Sequence, residues 1–175
     1  METRFLGNEQ MTVDGKGRVG IPARFMAVLR AVCPEQTEQV GVMITPDESI
    51  RVMPANYFEQ EIERLSQLDD QVDDERMVLN LATSTAELLP LDKQNRIKLN
   101  PLMMEFCSID RQVVFVGSLK YMQVFDVNKW RQMVNAGLKV YGKATTAIAA
   151  RKAPAAPVNQ FVLNVPGAGP NAPGA

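Results

Sequence analysis

Residues 12–25 read TVDGKGRVGIPARF, and residues 88–104 read LLPLDKQNRIKLNPLMM. The first stretch sets two glycines, a lysine and an arginine between an apolar run and a proline that suits the start of a helix. Taken alone it has two readings. One is a plain hairpin turn; the other is a turn that holds cationic side chains against an anion. Asp14 can accept backbone N–H bonds inside its own turn. Gly15 and Gly17 can take the positive φ that a tight loop needs. Exposed N–H groups on such a turn, with Lys16 and Arg18, suit a phosphate. The segment is not a P-loop: no glycine stands five residues before Gly15, and Gly17 replaces the required Ser or Thr.

The second stretch repeats the first. Asp14 and Arg18 align with Asp92 and Arg96 at an offset of 78 residues, flanked by matching apolar positions. Downstream, IRVMPANYF (50–58) aligns with MQVFDVNKW (122–130) at an offset of 72. Two similar halves are the simplest account. In the first half, 5–13 reads as a strand, 14–17 as a turn and 18–21 as a short return strand. Pro22 suits the first position of a helix whose buried face is Phe25, Val28, Leu29 and Val32. Strands follow at 40–45 and 50–53. A helix then carries the stripe Phe58, Ile62 and Leu65. In the second half, Asn100 is a good N-cap and Pro101 the first helical residue. Strands follow at 112–116 and 121–125. A closing helix over 127–142 offers Trp130, Met133, Val134 and Leu138 for core packing.

The expected organisation is a first half at 1–68, an acidic linker and helix at 69–85, and a second half at 86–142. Residues 143–175 read as a disordered Pro/Ala/Gly-rich tail, in which NQFVLNV (159–165) is apolar enough to dock weakly. Five acids lie between Asp69 and Glu75. They lack the glycine turn and terminal Glu of a calcium loop. They read as a solvated linker whose aspartates cap the next helix, so no metal site is expected.

The 175 residues hold no histidine, which excludes Ser-His and Cys-His catalysis and histidine metal sites. No paired general acid and base or nucleophile emerges, so neither an enzyme nor a cofactor is expected. Cys33 and Cys107 stand apart in apolar surroundings and read as reduced core residues. No signal peptide and no run of about 20 apolar residues is present. A soluble, cytoplasmic protein is the expectation, with no membrane partner. The net charge of −1 predicts no partner by itself. Its distribution is uneven: six Lys or Arg and no acid follow Asp126.

The segments FLGNEQMTVDGKGRVGIPARF (5–25) and ELLPLDKQNRIKL (87–99), with VFVG and FDVNKW, resemble the MraZ family of bacterial transcriptional regulators. The resemblance covers about 5–142. It implies an α+β fold of duplicated AbrB-like swapped-hairpin β-barrel halves with flanking helices. It implies a nucleoid-associated, ring-shaped homo-oligomer. The DNA it implies is double-stranded, with tandem direct repeats, upstream of the division and cell-wall gene cluster that includes the protein's own gene. Carried over by position, Lys16, Arg18, Arg24, Lys93 and Arg96 contact DNA, while Asp14, Gly15, Gly17 and Asp92 shape the loops. The second loop departs from the pattern at Gln94 and Asn95, and Arg24 becomes Leu102. Lys93 and Lys98 restore charge there. Arg18 sits in the better-kept loop, so Arg18→Ala is expected to weaken DNA binding more than Arg96→Ala.

Overall fold

The computed structural model describes residues 3–152. It is α+β. The elements run β1 (Asn8–Thr12), β2 (Arg18–Gly20), α1 (Ala23–Val32), a 3-10 turn (Pro34–Gln36), β3 (Gln39–Thr45), β4 (Ser49–Pro54) and α2 (Ala55–Leu65). They continue with α3 (Asp73–Thr85), β5 (Glu87–Pro90), β6 (Arg96–Lys98), α4 (Pro101–Phe106), β7 (Gln112–Gly117), β8 (Met122–Asp126) and α5 (Val127–Lys152). The chain divides into two units at Ala136/Gly137, and both sheets lie in the first. Among the described residues no helix is long and apolar enough to cross a membrane.

Six strands form one antiparallel sheet in the order β1-β7-β8-β4-β3-β5, and β2 with β6 forms a separate two-stranded ribbon. The first strand of each half pairs with the other half: β1 lies on β7, and β5 lies on β3. Two further ladders join the halves directly. In β2–β6 Val19 faces Ile97, and in β4–β8 Arg51 faces Gln123. Each of these residues faces its own counterpart in the sequence repeat, at the offsets of 78 and 72 residues seen in the sequence. Neither half completes a sheet alone.

The core draws on both halves. Phe5, Val19, Phe25 and Leu29 pack in one cluster with Ile97, Leu99, Met103 and Phe115. The Val- and Ile-rich strands β3, β4 and β7 supply branched side chains that pack well on a pleated surface. A second cluster, Met43, Met53, Phe58 and Leu65, lies under α2 and takes in Leu79 and Ala82 of α3. Cys33 and Cys107 are free and buried. Burial, reinforced by Asp47 and Glu48, pushes the Cys107 thiol up to about 12.

Several elements differ from the sequence reading. The first strand begins at Asn8, because Gly7 takes φ +82 and leaves Phe5 in an isolated bridge to Leu119. Pro22 is the cap of α1 rather than its first residue; its carbonyl accepts from the N–H groups of Phe25 and Met26, both at 2.9 Å. At α4 the expected arrangement is present, with Asn100 Oδ1 accepting from Leu102 N–H at 2.9 Å and Pro101 opening the helix. The acidic linker does not cap α3 through an aspartate. Val72 holds that position, and Asp73, Asp74 and Glu75 occupy the first turn, where negative charge suits the helix dipole. Of the α5 stripe, Trp130 and Met133 are partly buried, but Val134 and Leu138 are exposed. A helical apolar period marks a face without naming what covers it. Finally, α5 runs on to Lys152, past the expected boundary at 142. Its KATTAIAARK segment includes strong helix formers and no glycine or proline. The remainder of the expected tail, 153–175, lies outside the described residues.

Gly41 shows how tightly α2 seats on the sheet. A Cβ at this β3 position would lie 2.3 Å from the Phe58 side chain. Gly41→Ala is therefore expected to destabilise the fold by about 1–3 kcal/mol through overpacking. Urea unfolding should show the lower midpoint at an unchanged m value.

Candidate functional site

The two sequence motifs fold into the same loop. In the first, Asp14 Oδ1 accepts from the backbone N–H of Lys16 (2.9 Å) and of Arg18 (3.0 Å). Asp14 Oδ2 accepts from Arg18 Nε (2.8 Å) and pairs with Nη2 (2.8 Å). The backbone closes the turn, with Gly17 N–H donating to Asp14 O at 2.9 Å and Asp14 N–H to Arg18 O at 2.8 Å. In the second loop Asp92 Oδ1 accepts from Gln94 N–H (2.8 Å) and Arg96 N–H (3.0 Å). Its Oδ2 takes Arg96 Nε and Nη2, both at 2.7 Å. Asn95 N–H donates to Asp92 O at 2.9 Å. One carboxylate oxygen thus folds each turn, and the other holds the arginine side-on.

The left-handed residue of each loop is Gly17 (φ +74) or Asn95 (φ +56). Asparagine is among the few residues that tolerate this region, so the QN substitution leaves the second loop's geometry intact. Gly15, expected to need positive φ, does not take it. The turn also offers less to a phosphate than its sequence suggests. The N–H groups of residues 16, 17 and 18 are all bonded to Asp14. Contacts to an anion would therefore come mainly from side chains.

The ribbon β2–β6 brings these side chains together. Val19 and Ile97 are buried, so the alternate residues Arg18, Gly20, Arg96 and Lys98 share the opposite face. Arg18 faces Lys98 and Gly20 faces Arg96 across the ladder. Arg96 Nη1 also reaches Asp14 Oδ2 of the other loop at 3.9 Å. Lys16 and Lys93 are exposed at the two loop tips, and no ion pair engages either among the described residues. Arg24 sits elsewhere. It lies 3.6 Å from Glu9 and stacks 4.7 Å over the Phe25 ring, with no ion pair to either loop.

Two residues gain a place that their motifs did not give them. Lys98, expected only as nearby charge, stands directly opposite Arg18. The alternation Arg96-Ile97-Lys98 around an apolar residue was the available signal. Arg30 of α1 donates from Nη2 to Asn95 Oδ1 at 3.1 Å, bracing the second loop. It lies 65 residues from its partner, and no local pattern links them.

The Arg18 guanidinium, then the Arg18 and Lys16 amides, hold the Asp14 carboxyl well below the usual carboxylate range. Asp92 is also lowered, mainly by the Arg96 amide and then by its guanidinium. Both folded values lie below the unfolded ones. The contribution is therefore present at neutral pH and is lost as pH falls below about 4.

A family model described as "MraZ protein, putative antitoxin-like" matches residues 4–81. The transcriptional regulator MraZ of Chlorobium luteolum is 31% identical over 139 residues, spanning 74% of this chain and 88% of that protein. The transcriptional regulator MraZ of Mycobacterium sp. (strain KMS) is 32% identical over 144 residues, spanning 81% and 94%. That of Mycobacterium avium (strain 104) is 33% identical over 130 residues, spanning 73% and 84%.

Two outcomes check the loop geometry. Gly17→Ala should cost about 1 kcal/mol or more, because alanine is strained at its positive φ. Gly15→Ala should be near neutral, since a Cβ there meets nothing within 4 Å. Gly17→Asn should cost less than Gly17→Ala, as Asn95 already fills that role. Thermal melts rank the three. Amide protection factors at Lys16 and Arg18, corrected for the intrinsic exchange rate at each pH, should be retained down to pH 3 and fall only in stronger acid, where the Asp14 carboxylate protonates.

Proposed function

The chain belongs to the MraZ family of transcriptional regulators, and from this we propose that it binds duplex DNA through the outward face of the β2–β6 ribbon. The observation that carries the proposal is the cationic face itself. Arg18, Arg96 and Lys98 occupy three of its four positions, with Lys16 and Lys93 at the flanking tips. A two-stranded ribbon has the width of the major groove. Arginine suits guanine or phosphate through its planar fork, and lysine supplies a point charge to phosphate. The arginines enter pre-oriented by Asp14 and Asp92, which limits the entropy lost on binding. Arg24 is a peripheral member of this proposed surface. The exchanged strand pairs support reading the halves as duplicated AbrB-like swapped hairpins.

The site also sets a limit on affinity. Each arginine is matched by its own aspartate, so the excess positive charge near the ribbon comes from Lys16, Lys93 and Lys98. Few phosphate contacts give weak binding at physiological salt. Several copies in a ring would present the same face at intervals, and avidity then raises affinity by about 10²–10⁴-fold. This favours tandem direct repeats about one helical turn apart. By the family reading these lie upstream of the division and cell-wall cluster, including the protein's own gene. The protein would act in the cytoplasm at the nucleoid, as a regulator rather than an enzyme.

Titration of DNAs carrying one, two and three repeats at fixed salt tests the proposal. Affinity should rise steeply with repeat number and fall when repeats are moved half a turn out of phase. Equal affinity across the series would exclude the avidity mechanism. Lys16→Ala should weaken all sequences alike and reduce the salt slope by about 1 per lost phosphate contact. The matched loop geometries revise the expected ranking of the arginines. Arg18→Ala and Arg96→Ala should weaken binding to a similar degree, with thermal melts run beside them. A much smaller effect of Arg96→Ala would show that only the first loop works.

A further inference from the structure

The duplication gives the fold two equivalent corners, each formed by a hairpin turn of one half and a helix of the other. Counted back from β4 and β8, Glu48 of the β3–β4 turn corresponds to Lys120 of the β7–β8 turn at the 72-residue offset. On the helices that follow, Tyr57 of α2 corresponds to Lys129 of α5 at the same offset. The first corner is closed by an ion pair, with Lys129 Nζ bonded to Glu48 Oε2. The second corner has Lys120 and Tyr57 in those places, and they form no such pair. A cleft of about 700 Å³ opens there, and both residues line it.

This cleft has the volume and the lining of a small-molecule site. Its apolar walls include Val32 of α1, Tyr57, and Leu119 and Tyr121 at the tip of the β7–β8 hairpin. Its cations are Arg4 and Lys120, and among the described residues no acid lines it. Both cations are exposed, and among the described residues no ion pair engages either one. The walls are held in place. Arg51 stacks 4.5 Å over the Tyr121 ring, and Arg51 Nη1 donates to Glu61 Oε1 at 3.2 Å. Leu119 takes φ +66, where a leucine is strained, and two backbone bonds to Phe5 (2.9 and 3.0 Å) keep it there. Backbone strain of this kind gathers at ligand clamps.

We propose that this cleft binds a small aromatic anion, with the ring against Tyr57 and Tyr121 and the anionic group between Arg4 and Lys120. Tyrosine faces suit a planar ring. The arginine fork suits a carboxylate, sulfonate or phosphate, and lysine adds a point charge. The closed corner shows what the same framework does without a ligand to hold: it joins turn and helix directly. None of the lining residues belongs to the loops or to the β2–β6 ribbon, so the site is separate from the proposed DNA surface and is tested without DNA.

The probe is 1-anilinonaphthalene-8-sulfonate, an aromatic anion whose fluorescence rises as it leaves water, titrated into the full-length protein. The wild type should bind one probe per chain. Arg4→Ser/Lys120→Ser should weaken binding by about tenfold or more through the lost charge-assisted bonds. Both sites are exposed, so this variant should keep the wild-type thermal transition. Tyr57→Lys/Lys120→Glu copies the Lys129–Glu48 pair into the open corner and should abolish binding; if it melts early, the Arg4/Lys120 variant still decides. N-phenyl-1-naphthylamine has the same ring system without the sulfonate and should bind more weakly by about tenfold. A wild type that binds no probe, or an Arg4→Ser/Lys120→Ser variant that binds it equally well, would overturn the site. N-phenyl-1-naphthylamine bound as tightly as the sulfonate would overturn the choice of an anion.

Discussion

The aspartate–arginine bond inside each loop is the constraint on which the central architecture rests. Asp14 divides its two oxygens between the backbone amides of its own turn and the Arg18 fork, and Asp92 does the same with Arg96. An ion pair this exposed contributes only about 0–1 kcal/mol by itself. Its consequence is geometric. The turn fixes where β2 and β6 begin and which side chains face outward. With the turn set, Val19 and Ile97 face inward and join the shared core. With the turn lost, the ribbon could slip by one residue and turn its cations toward that core.

The halves depend on each other for the same reason. A three-residue strand such as β2 cannot stand alone, and among the described residues its ladder partner is β6. The outer strands β1 and β5 likewise find their partners in the opposite half. Joining both halves in one chain keeps them at high effective concentration. It also lets them diverge. The first loop carries its tip lysine at position 16 and the second at position 93, one residue earlier in the aligned motif. Each loop keeps one lysine and one arginine, although the local spelling differs.

Much of this was legible in the sequence because it obeys short-range rules. The repeated Asp-x-x-x-Arg, the short return strand that follows it and the cap at Asn100 are local patterns with local causes. What stayed hidden required long-range information. Which of Gly15 and Gly17 takes positive φ depends on the closed turn, and Asn95 could be read as degeneration when it fills the same left-handed position. Arg24 looked like part of the cationic cluster, yet its nearest acid is Glu9 on β1. A rise in alanine reads as disorder in the sequence, yet alanine is the strongest helix former, and α5 runs on to Lys152. The exposure of Leu138 was invisible to periodicity, which finds an apolar face but not its partner.

The chain's charge gives a last reason to treat association and recognition as one problem. With net charge −1, the protein has little long-range attraction for a polyanion. The aspartates that shape the loops also neutralise the arginines they display, so rigidity is gained at the cost of local positive charge. A flexible basic loop could contact phosphate more strongly per site, but it would lose more entropy and discriminate less. A rigid, nearly neutral loop holds each contact weak and well placed. Such a contact becomes effective only when several are presented together at fixed spacing.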